Sequence, residues 1–232
     1  MRQIIAMGGG GFSMEPDNPL LDRYILAQAR RDLPNVCFVP TASGDAAGYI
    51  ERFYAGFAGH LCVPTHLSLF KPTVSDLAAL VLEQDIVYVG GGSTRNLLVL
   101  WREWGLDAIL RRAWEQGVVL AGLSAGSLCW FEQGLSDSFG PGWSSLAGLG
   151  LLPGSHCPHY SDEAGRRDAY LAMVASGRLP QGVAADDGVA LHYRDTTLHK
   201  VVSSRADAAA YLVSAMDGAT VQERLEPQYL GG

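Results

Sequence analysis

The sequence predicts an α/β protein built on a mostly parallel β-sheet, with antiparallel strands added near the C-terminus. The first observation is that apolar runs rich in β-branched residues alternate with helix-like segments, which is typical of a parallel sheet. These runs lie at residues 3–7, 35–40, 61–67, 85–89 and 118–121. The second observation is that closely spaced strand-like runs, separated by Asp-Gly and Arg-Asp turns, fill the last part of the chain. They lie near residues 182–185, 188–193, 197–203 and 209–213, and we expect them to add antiparallel strands to one edge of the sheet.

Length and composition fit a single domain that comprises residues 1–232. The chain has 232 residues, of which 48% are hydrophobic, enough for a sizeable core. No internal repeat, low-complexity segment or linker marks a domain boundary. No apolar stretch approaches the roughly 18 residues that a membrane span needs. The N-terminus enters a strand without a signal-peptide region, so we expect a cytoplasmic protein that does not bind membranes.

Net charge and cysteine content limit the kinds of partner and ligand that the protein is expected to bind. The formal net charge is −7 and basic residues form no cluster larger than a pair, so small molecules or peptides are better candidates than nucleic acids. Cysteine 157 lies in His156-Cys157-Pro158-His159, whose spacing fits no common zinc pattern, and we expect neither a metal nor a cofactor. No C-x-x-C pair occurs among the four cysteines, which are predicted to be reduced thiols: Cys37, Cys62, Cys129 and Cys157.

Two predicted strands end in glycine clusters, Gly8 to Gly11 and Gly90-Gly91-Gly92. The first cluster does not form G-x-G-x-x-G, because position 13 is Ser13, and no G-K-[S/T] occurs, so a phosphate-binding loop is not expected. The second cluster fits a strand-to-helix turn in which Ser93 or Thr94 is the helix N-cap. It also fits an oxyanion hole, because glycine lets a bare backbone N–H approach a substrate closely. Both roles are compatible.

The pentapeptide Gly122-Leu123-Ser124-Ala125-Gly126 follows the run at 118–121 and opens a helix-like segment. This is the pattern of a nucleophile elbow, in which a serine on a tight strand-to-helix turn exposes its hydroxyl. The flanking glycines remove Cβ atoms that would collide in so sharp a turn. The first N–H groups of the helix can stabilise an oxyanion. The sequence therefore predicts Ser124 as a catalytic nucleophile.

A serine hydroxyl needs a base, and His159 is the strongest candidate of the six histidines. It lies between a short apolar-to-proline segment and a polar one, which places it at a strand end. The base in turn needs an orienting carboxylate. Asp187, in Asp186-Asp187-Gly188 between two strand-like runs, and Asp137, in Leu135-Ser136-Asp137-Ser138, are both candidates. His159 follows Ser124 too closely for an ordinary α/β-hydrolase, whose histidine comes far downstream.

Three motifs together resemble a known family. The run Val89-Gly90-Gly91-Gly92-Ser93-Thr94, then Gly122-Leu123-Ser124-Ala125-Gly126-Ser127, then Pro158-His159-Tyr160 is similar to the peptidase E (aspartyl dipeptidase) family of serine peptidases, relatives of the cyanophycinases. The resemblance spans nearly the whole chain. It implies a three-layer, doubly wound fold like that of class I glutamine amidotransferase domains, with a Ser-His-acid triad.

The resemblance also implies roles for individual residues. Ser124 matches the nucleophile and His159 the base. The family acid is a glutamate in a P-E-G segment, and the matching position is Asp187, whose side chain is one methylene shorter; Asp137 is the less favoured alternative. The oxyanion hole would use the backbone N–H groups of Gly92 and Ala125.

Substrate preference follows less directly. An aspartyl dipeptidase needs a cationic partner for the acidic side chain of its substrate, and Arg166 and Arg167 stand where such a partner could lie. A solvated helix start explains these arginines equally well. We therefore expect hydrolysis of short peptides without strict specificity for aspartate. Two other interpretations compete with this one. The first is a cyanophycinase-like or other acyl-transfer enzyme, including one related to the amidotransferases, and the second is a catalytically silent ligand-binding relative. A homo-oligomer is compatible with the sequence.

Overall fold

The structure is a computed structural model and describes residues 1–216 and 219–232. The strands are β1 Gln3–Met7, β2 Asn35–Val39, β3 Val63–His66, β4 Ile86–Val89, β5 Val119–Leu123, β6 Phe131–Ser136, β7 Ser144–Ala147, β8 Leu152–Cys157, β9 Gly182–Ala185, β10 Val189–Arg194, β11 Thr197–Ser203, β12 Ala210–Met216, β13 Ala219–Leu225 and β14 Gln228–Tyr229. The helices are α1 Gly11–Met14, α2 Leu20–Leu26, α3 Ala47–Phe57, α4 Leu77–Leu82, α5 Thr94–Trp104, α6 Leu106–Glu115, α7 Ala125–Leu128 and α8 Arg166–Ala175, with a 3₁₀ turn at Thr41–Ser43.

An eight-stranded sheet forms the centre of the molecule, in the order β14-β11-β10-β1-β5-β4-β2-β3. The five neighbouring strands β1, β5, β4, β2 and β3 are mutually parallel, as the alternation of strands and helices predicts. β5 lies between β1 and β4, so the carboxyl ends of these three strands are adjacent. In open α/β sheets ligands bind at this edge, where the strand order reverses.

Helices cover both faces of this sheet. Successive residues of a strand point to opposite faces, so Ile4 of β1 packs in one core cluster and Ile5 in another. The Ile4 cluster includes Trp101 of α5, and the Ile5 cluster includes Phe12 of α1 and Phe53 of α3. The predicted three-layer α/β architecture is confirmed.

A second, six-stranded sheet has the order β13-β12-β9-β8-β6-β7. β10 and β11 extend the first sheet in antiparallel fashion beyond β1, as predicted. β9 and β12 do not join that edge; they belong to the second sheet, where β9 pairs in parallel with β8 and antiparallel with β12. The cause is a set of strands that the sequence analysis did not identify, β6 to β8, which provide an alternative edge for pairing.

Two predictions on composition can be compared with this fold. Cys37, Cys129 and Cys157 are buried thiols and Cys62 is half-buried, and none is in a disulfide among the residues the structure describes. Burial raises the pKa of the Cys37 thiol to about 12. In the described chain, no helix is both long and apolar enough to cross a membrane.

Asp22 is a buried carboxyl in α2, and its Oδ1 accepts a hydrogen bond from the Tyr88 hydroxyl at 3.1 Å. Burial raises its pKa from 3.8 to about 7. A carboxyl whose pKa is higher in the folded than in the unfolded chain contributes stability that is complete below the unfolded pKa. That contribution is lost as the pH rises through the folded value.

We therefore expect Asp22→Asn to stabilise the protein more at pH 8 than at pH 5. The difference should be on the order of 1 kcal/mol or more in the free energy of unfolding, measured by urea denaturation at both pH values. Asp32→Asn, which removes an exposed carboxyl, is the control and should show no such pH dependence. An equal effect of Asp22→Asn at the two pH values would contradict a raised pKa of Asp22 in the folded protein.

Candidate active site

The carboxyl end of β1 holds the two chain segments that carry the predicted nucleophile and acid. β1 lies between β5 and β10. On the β5 side, the backbone N–H of Ser124 donates to Met7 O at 3.2 Å. On the β10 side, the N–H of Gly188 donates to Gly9 O at 3.1 Å. Ser124 and Asp187 thus flank the same strand end.

The glycines of the first cluster permit this arrangement. A Cβ added to Gly8 would collide with Asp186 O, and one added to Gly9 would collide with the Asp187 carboxylate. The backbone after β1 can therefore approach the Asp186-Asp187 turn only because these positions lack side chains. This packing of Gly8 and Gly9 against the Asp186-Asp187 turn was not predicted from the sequence.

Ser124 occupies a strained turn between β5 and α7. Its φ and ψ angles are 54° and −117°, outside the regions that non-glycine residues normally occupy. A Cβ added to Gly122 would collide with Gly126 O, and a Cβ added to Gly126 would collide with Val89 O. Both glycines of the elbow are therefore needed for its tight packing against β4. Strain of this kind is concentrated at functional sites.

His159 and Asp187 form a direct hydrogen bond. The pairing of β8 with β9 places Cys157 opposite Ala184, so the residues that follow the two strands emerge side by side. His159 Nδ1 and Asp187 Oδ1 are 2.5 Å apart, and both side chains are 10% exposed. An ionised carboxylate only accepts hydrogen bonds, so opposite an ionised Asp187 the donor is His159 Nδ1, and a neutral imidazole then has its lone pair on Nε2. His159 also has a positive φ of 53°, a second strained backbone position at this edge.

Ser124 lines an open cavity of about 430 Å³ at the carboxyl ends of β4 and β5. Ser124 Oγ forms no hydrogen bond with His159 in the described part of the chain. Catalytic hydrogen bonds in ligand-free enzymes are often long and shorten when substrate binds. The other residues that line this cavity are Gly92, Ser93, Asp137, Ser138, Glu163 and Arg166.

Asp137 is exposed on the turn after β6 and contributes to the same cavity as Ser124. It forms no hydrogen bond with His159 within residues 1–216 and 219–232. Of the two carboxylates that the sequence offers, Asp187 is therefore the one in contact with the imidazole. Asp137 instead places a negative charge in the cavity.

The predicted oxyanion donors are at the start of α7 and in the second glycine cluster. The N–H of Gly91 donates to the Tyr49 hydroxyl at 3.1 Å, and the N–H of Ser93 donates to Ala42 O at 2.8 Å. The N–H groups of Gly92 and Ala125 have no acceptor among the described residues. Gly92 has a φ of 134°, and a Cβ there would collide with Ala42 O, so glycine is required. Both backbone donors are thus available to a ligand.

The two arginines at the start of α8 have different environments. Arg166 is buried and lines the cavity. Its Nη1 forms an ion pair with Glu163, and its guanidinium lies 4.6 Å from the Trp143 ring centroid. Arg167 is exposed and lies 5.5 Å from the ring centroid of Tyr160, and it is not among the residues that line the cavity. Only Arg166 is positioned to meet a ligand beside Ser124.

Several supporting residues were missed by the sequence analysis. Ser138 Oγ accepts a hydrogen bond from the N–H of Thr94 at 3.0 Å, which joins the β6–β7 turn to the start of α5. His156 lies between β9 and the helix that follows Ser124. Its Nδ1 is 2.8 Å from Val183 O and its Nε2 is 3.1 Å from Ser127 Oγ. Burial lowers the pKa of His156 to about 3, so this histidine is neutral. No local signal distinguishes such contacts in the sequence, because they join segments that are distant along the chain.

Comparison with known proteins agrees with this fold. The sequence model of peptidase family S51 matches residues 4–201. An uncharacterized peptidase of Bacillus subtilis (strain 168), YgaJ, is 58% identical over 231 residues, which cover the full length of both chains.

Two solved structures share the fold. One is the crystal structure of a peptidase from an acI-B1 Actinobacterium, with a TM-score of 0.69 and 19% identity, which covers 98% of this chain and 95% of its own. The other is a putative peptidase E protein from Listeria monocytogenes EGD-e, with a TM-score of 0.57 and 16% identity, which covers 97% of this chain and 100% of its own.

Fold and comparisons together define a peptidase of the serine type. The chain belongs to peptidase family S51, since the family model matches most of its length. The resemblance to peptidase E that three short motifs indicated is confirmed.

Proposed function

We propose that this protein is a cytoplasmic exopeptidase that hydrolyses short peptides, dipeptides among them, through Ser124, His159 and Asp187. The observation that carries the proposal is the 2.5 Å hydrogen bond between His159 and Asp187 at the strand edge where Ser124 is held in a strained elbow. A histidine fixed by a buried carboxylate, at the same edge of the sheet as a serine on a strained elbow, is the arrangement of serine hydrolases.

In the proposed mechanism, Ser124 Oγ attacks the peptide carbonyl carbon while His159 Nε2 takes the hydroxyl proton. Asp187 holds the imidazole in the required tautomer and stabilises the imidazolium that forms. The N–H groups of Gly92 and Ala125 donate to the tetrahedral oxyanion. The imidazolium then gives its proton to the leaving amine, and the C–N bond breaks to leave an acyl-enzyme. Water, deprotonated by His159, attacks the ester and releases Ser124.

The charges of the cavity support an exopeptidase. Asp137 and Glu163 bring two carboxylates beside Ser124, and Arg166 brings one guanidinium that is already paired with Glu163. A free α-ammonium group complements the carboxylate excess, and a blocked N-terminus does not. We therefore propose that the free amino end of the peptide lies near Asp137 and that the scissile bond lies close to it.

The experiment that tests this function is hydrolysis of Ala-Leu, Leu-Leu and Asp-Leu by the purified protein, with N-acetyl-Ala-Leu as the blocked counterpart of the first. We expect the free dipeptides to be cleaved and the acetylated one to be cleaved poorly. Equal turnover of free and acetylated Ala-Leu would contradict the exopeptidase mode. A serine-directed fluorophosphonate tests the alternative of a silent ligand-binding relative, because an unactivated Ser124 should not react with it.

Glu163 is expected to limit the use of acidic substrates. Its side chain is 44% exposed whereas that of Arg166 is 5% exposed, so Glu163 is the more exposed partner of this ion pair. An acidic substrate side chain would have to displace it. We expect Glu163→Gln to raise kcat/KM for Asp-Leu relative to Ala-Leu by about tenfold, as for the loss of one competing charge-assisted hydrogen bond.

The matched control for this prediction is Glu226→Gln, which removes an exposed carboxylate paired with Arg224. It should leave the ratio of the two kcat/KM values unchanged. If Glu163→Gln also left the ratio unchanged, Glu163 would not compete with the substrate for Arg166.

A further inference from the structure

Two turns behind the catalytic pair exchange hydrogen bonds through their aspartates. The N–H of Asp187 donates to Asp162 Oδ2 at 2.7 Å. The N–H of Ser161 donates to Asp186 Oδ1 at 3.1 Å. The turn that follows His159 and the turn that carries Asp187 are therefore fixed to each other from both sides. This exchange sets the relative position of the imidazole and its carboxylate.

The two turns also bring several carboxylate groups close together. Asp162, Asp186 and Asp187 line one small cavity of about 210 Å³, and Asp207 lines it too. Burial raises the pKa of Asp162, and the nearby carboxylates of Asp187 and Asp186 raise it further, because like charges this close disfavour ionisation. A protonated Asp187 would not stabilise a developing imidazolium. A cation among these carboxylates would reduce their mutual repulsion.

Arg205 provides that cation. It follows β11 and is the one cationic residue among the described residues lining this cavity. Its Nη1 lies 3.7 Å from Asp162 Oδ1, and its Nε donates to Glu15 Oε1 at 2.7 Å. Ser204 Oγ donates to Glu15 Oε2 at 2.7 Å, which holds the glutamate in place. The aliphatic part of Arg205 lies against Gly188, where an added Cβ would be 2.8 Å from its Cγ.

We propose that Arg205, held by Glu15, is a positioning residue for the peptidase reaction, because it balances the negative charge of the carboxylates around the turn that carries Asp187 and holds that turn in place beside His159. The inference rests on the proposed function, since it assigns Arg205 an effect exerted through Asp187. The charged and titratable groups that face Asp187 are His159, Asp162, Asp186, Asp207 and the Arg205–Glu15 pair.

The sign of the pH effect follows from this arrangement. Removing a positive charge near Asp187 makes its carboxylate easier to protonate and makes the imidazole of His159 easier to protonate as well. Both changes leave less of the active ionisation state at low pH. The acidic limb of the rate profile should therefore move to higher pH.

The experiment compares the native protein with Arg205→Gln, Arg205→Lys and the control Arg224→Gln, whose arginine pairs with Glu226 and does not line the cavity at the acid turn. The first readout is the rate at which Ser124 displaces fluoride from a fluorophosphonate, which requires no peptide. The second is kcat and KM for a cleaved dipeptide as a function of pH. For Arg205→Gln we expect labelling and kcat to fall by about tenfold, with KM nearly unchanged.

We expect Arg205→Lys to recover most of the rate because it restores the charge, and Arg224→Gln to be native-like. Absence of labelling in the native protein would overturn the proposed function itself. Native labelling with an unchanged rate and pH profile in Arg205→Gln would overturn the role of Arg205 and leave the peptidase assignment standing. If Arg205→Gln does not fold, Arg205→Met replaces it, since it removes the charge but keeps an aliphatic side chain against Gly188: slower labelling supports the inference, and a native rate overturns it.

Discussion

Replacement of Ser124 by alanine is expected to lower kcat/KM for a cleaved dipeptide by about 10⁴-fold or more. The change removes only the hydroxyl that would attack the carbonyl carbon. Serine and alanine both carry a Cβ, so the strain of the positive φ at this position stays the same and the fold should be retained. The measurement is steady-state hydrolysis by both proteins, with thermal unfolding as the test that the variant is folded.

Ser176→Ala is a matched control for this prediction. Ser176 follows α8, and its Oγ donates to Ala172 O at 2.7 Å, so the change removes a hydroxyl with a local structural role. It should leave kcat/KM unchanged. If Ser124→Ala retained more than about a hundredth of the native activity, the nucleophile would have to be another residue.

The parallel part of the fold was predictable because its strands are buried on both faces. β4, with the sequence Ile-Val-Tyr-Val, has no exposed residue, and such strands appear as continuous apolar runs. β6 and β8 carry glycine, proline or charged residues, and in each strand the second residue is exposed and the third is half-buried, which interrupts the apolar run. Their hydrophobic signal is therefore weak, and the second sheet that they form with β9 was not predicted.

Some parts of the candidate site were likewise predictable from the sequence and others were not. The elbow around Ser124 and the strand end before His159 are local features, which neighbouring residues in the sequence specify. The contact between His159 and Asp187 depends on the register of β8 against β9, which places Cys157 opposite Ala184. Register is a property of the assembled sheet and not of either strand alone. From sequence, the acid could therefore be narrowed only to Asp187 and Asp137.

Contacts between distant segments were the least predictable. Gly9 is required because Asp187 lies against it, and Arg205 reaches both Glu15 and Asp162. These residues come from four separate parts of the chain, and each has an ordinary interpretation as a turn or surface residue by itself. Only the folded chain brings them together.

Asp187→Asn is expected to lower kcat by about 10³ to 10⁴-fold with little change in KM. An amide at this position is almost the same size as the carboxylate, but it carries no charge to stabilise the imidazolium. Its NH₂ group can also donate to His159 Nδ1, which would place the imidazole proton on Nε2, where the base must be unprotonated. The expected loss is therefore in the chemical step.

Asp137→Asn distinguishes the two carboxylates, because each change replaces one aspartate by its neutral amide. Asp137 is exposed in the cavity and does not contact His159, so its proposed role is to attract the α-ammonium group of the substrate. We expect this variant to raise KM while kcat stays within about threefold of the native value. The reverse pattern, with kcat lost in Asp137→Asn and kept in Asp187→Asn, would assign the acid to Asp137 and leave the His159–Asp187 hydrogen bond with a structural role.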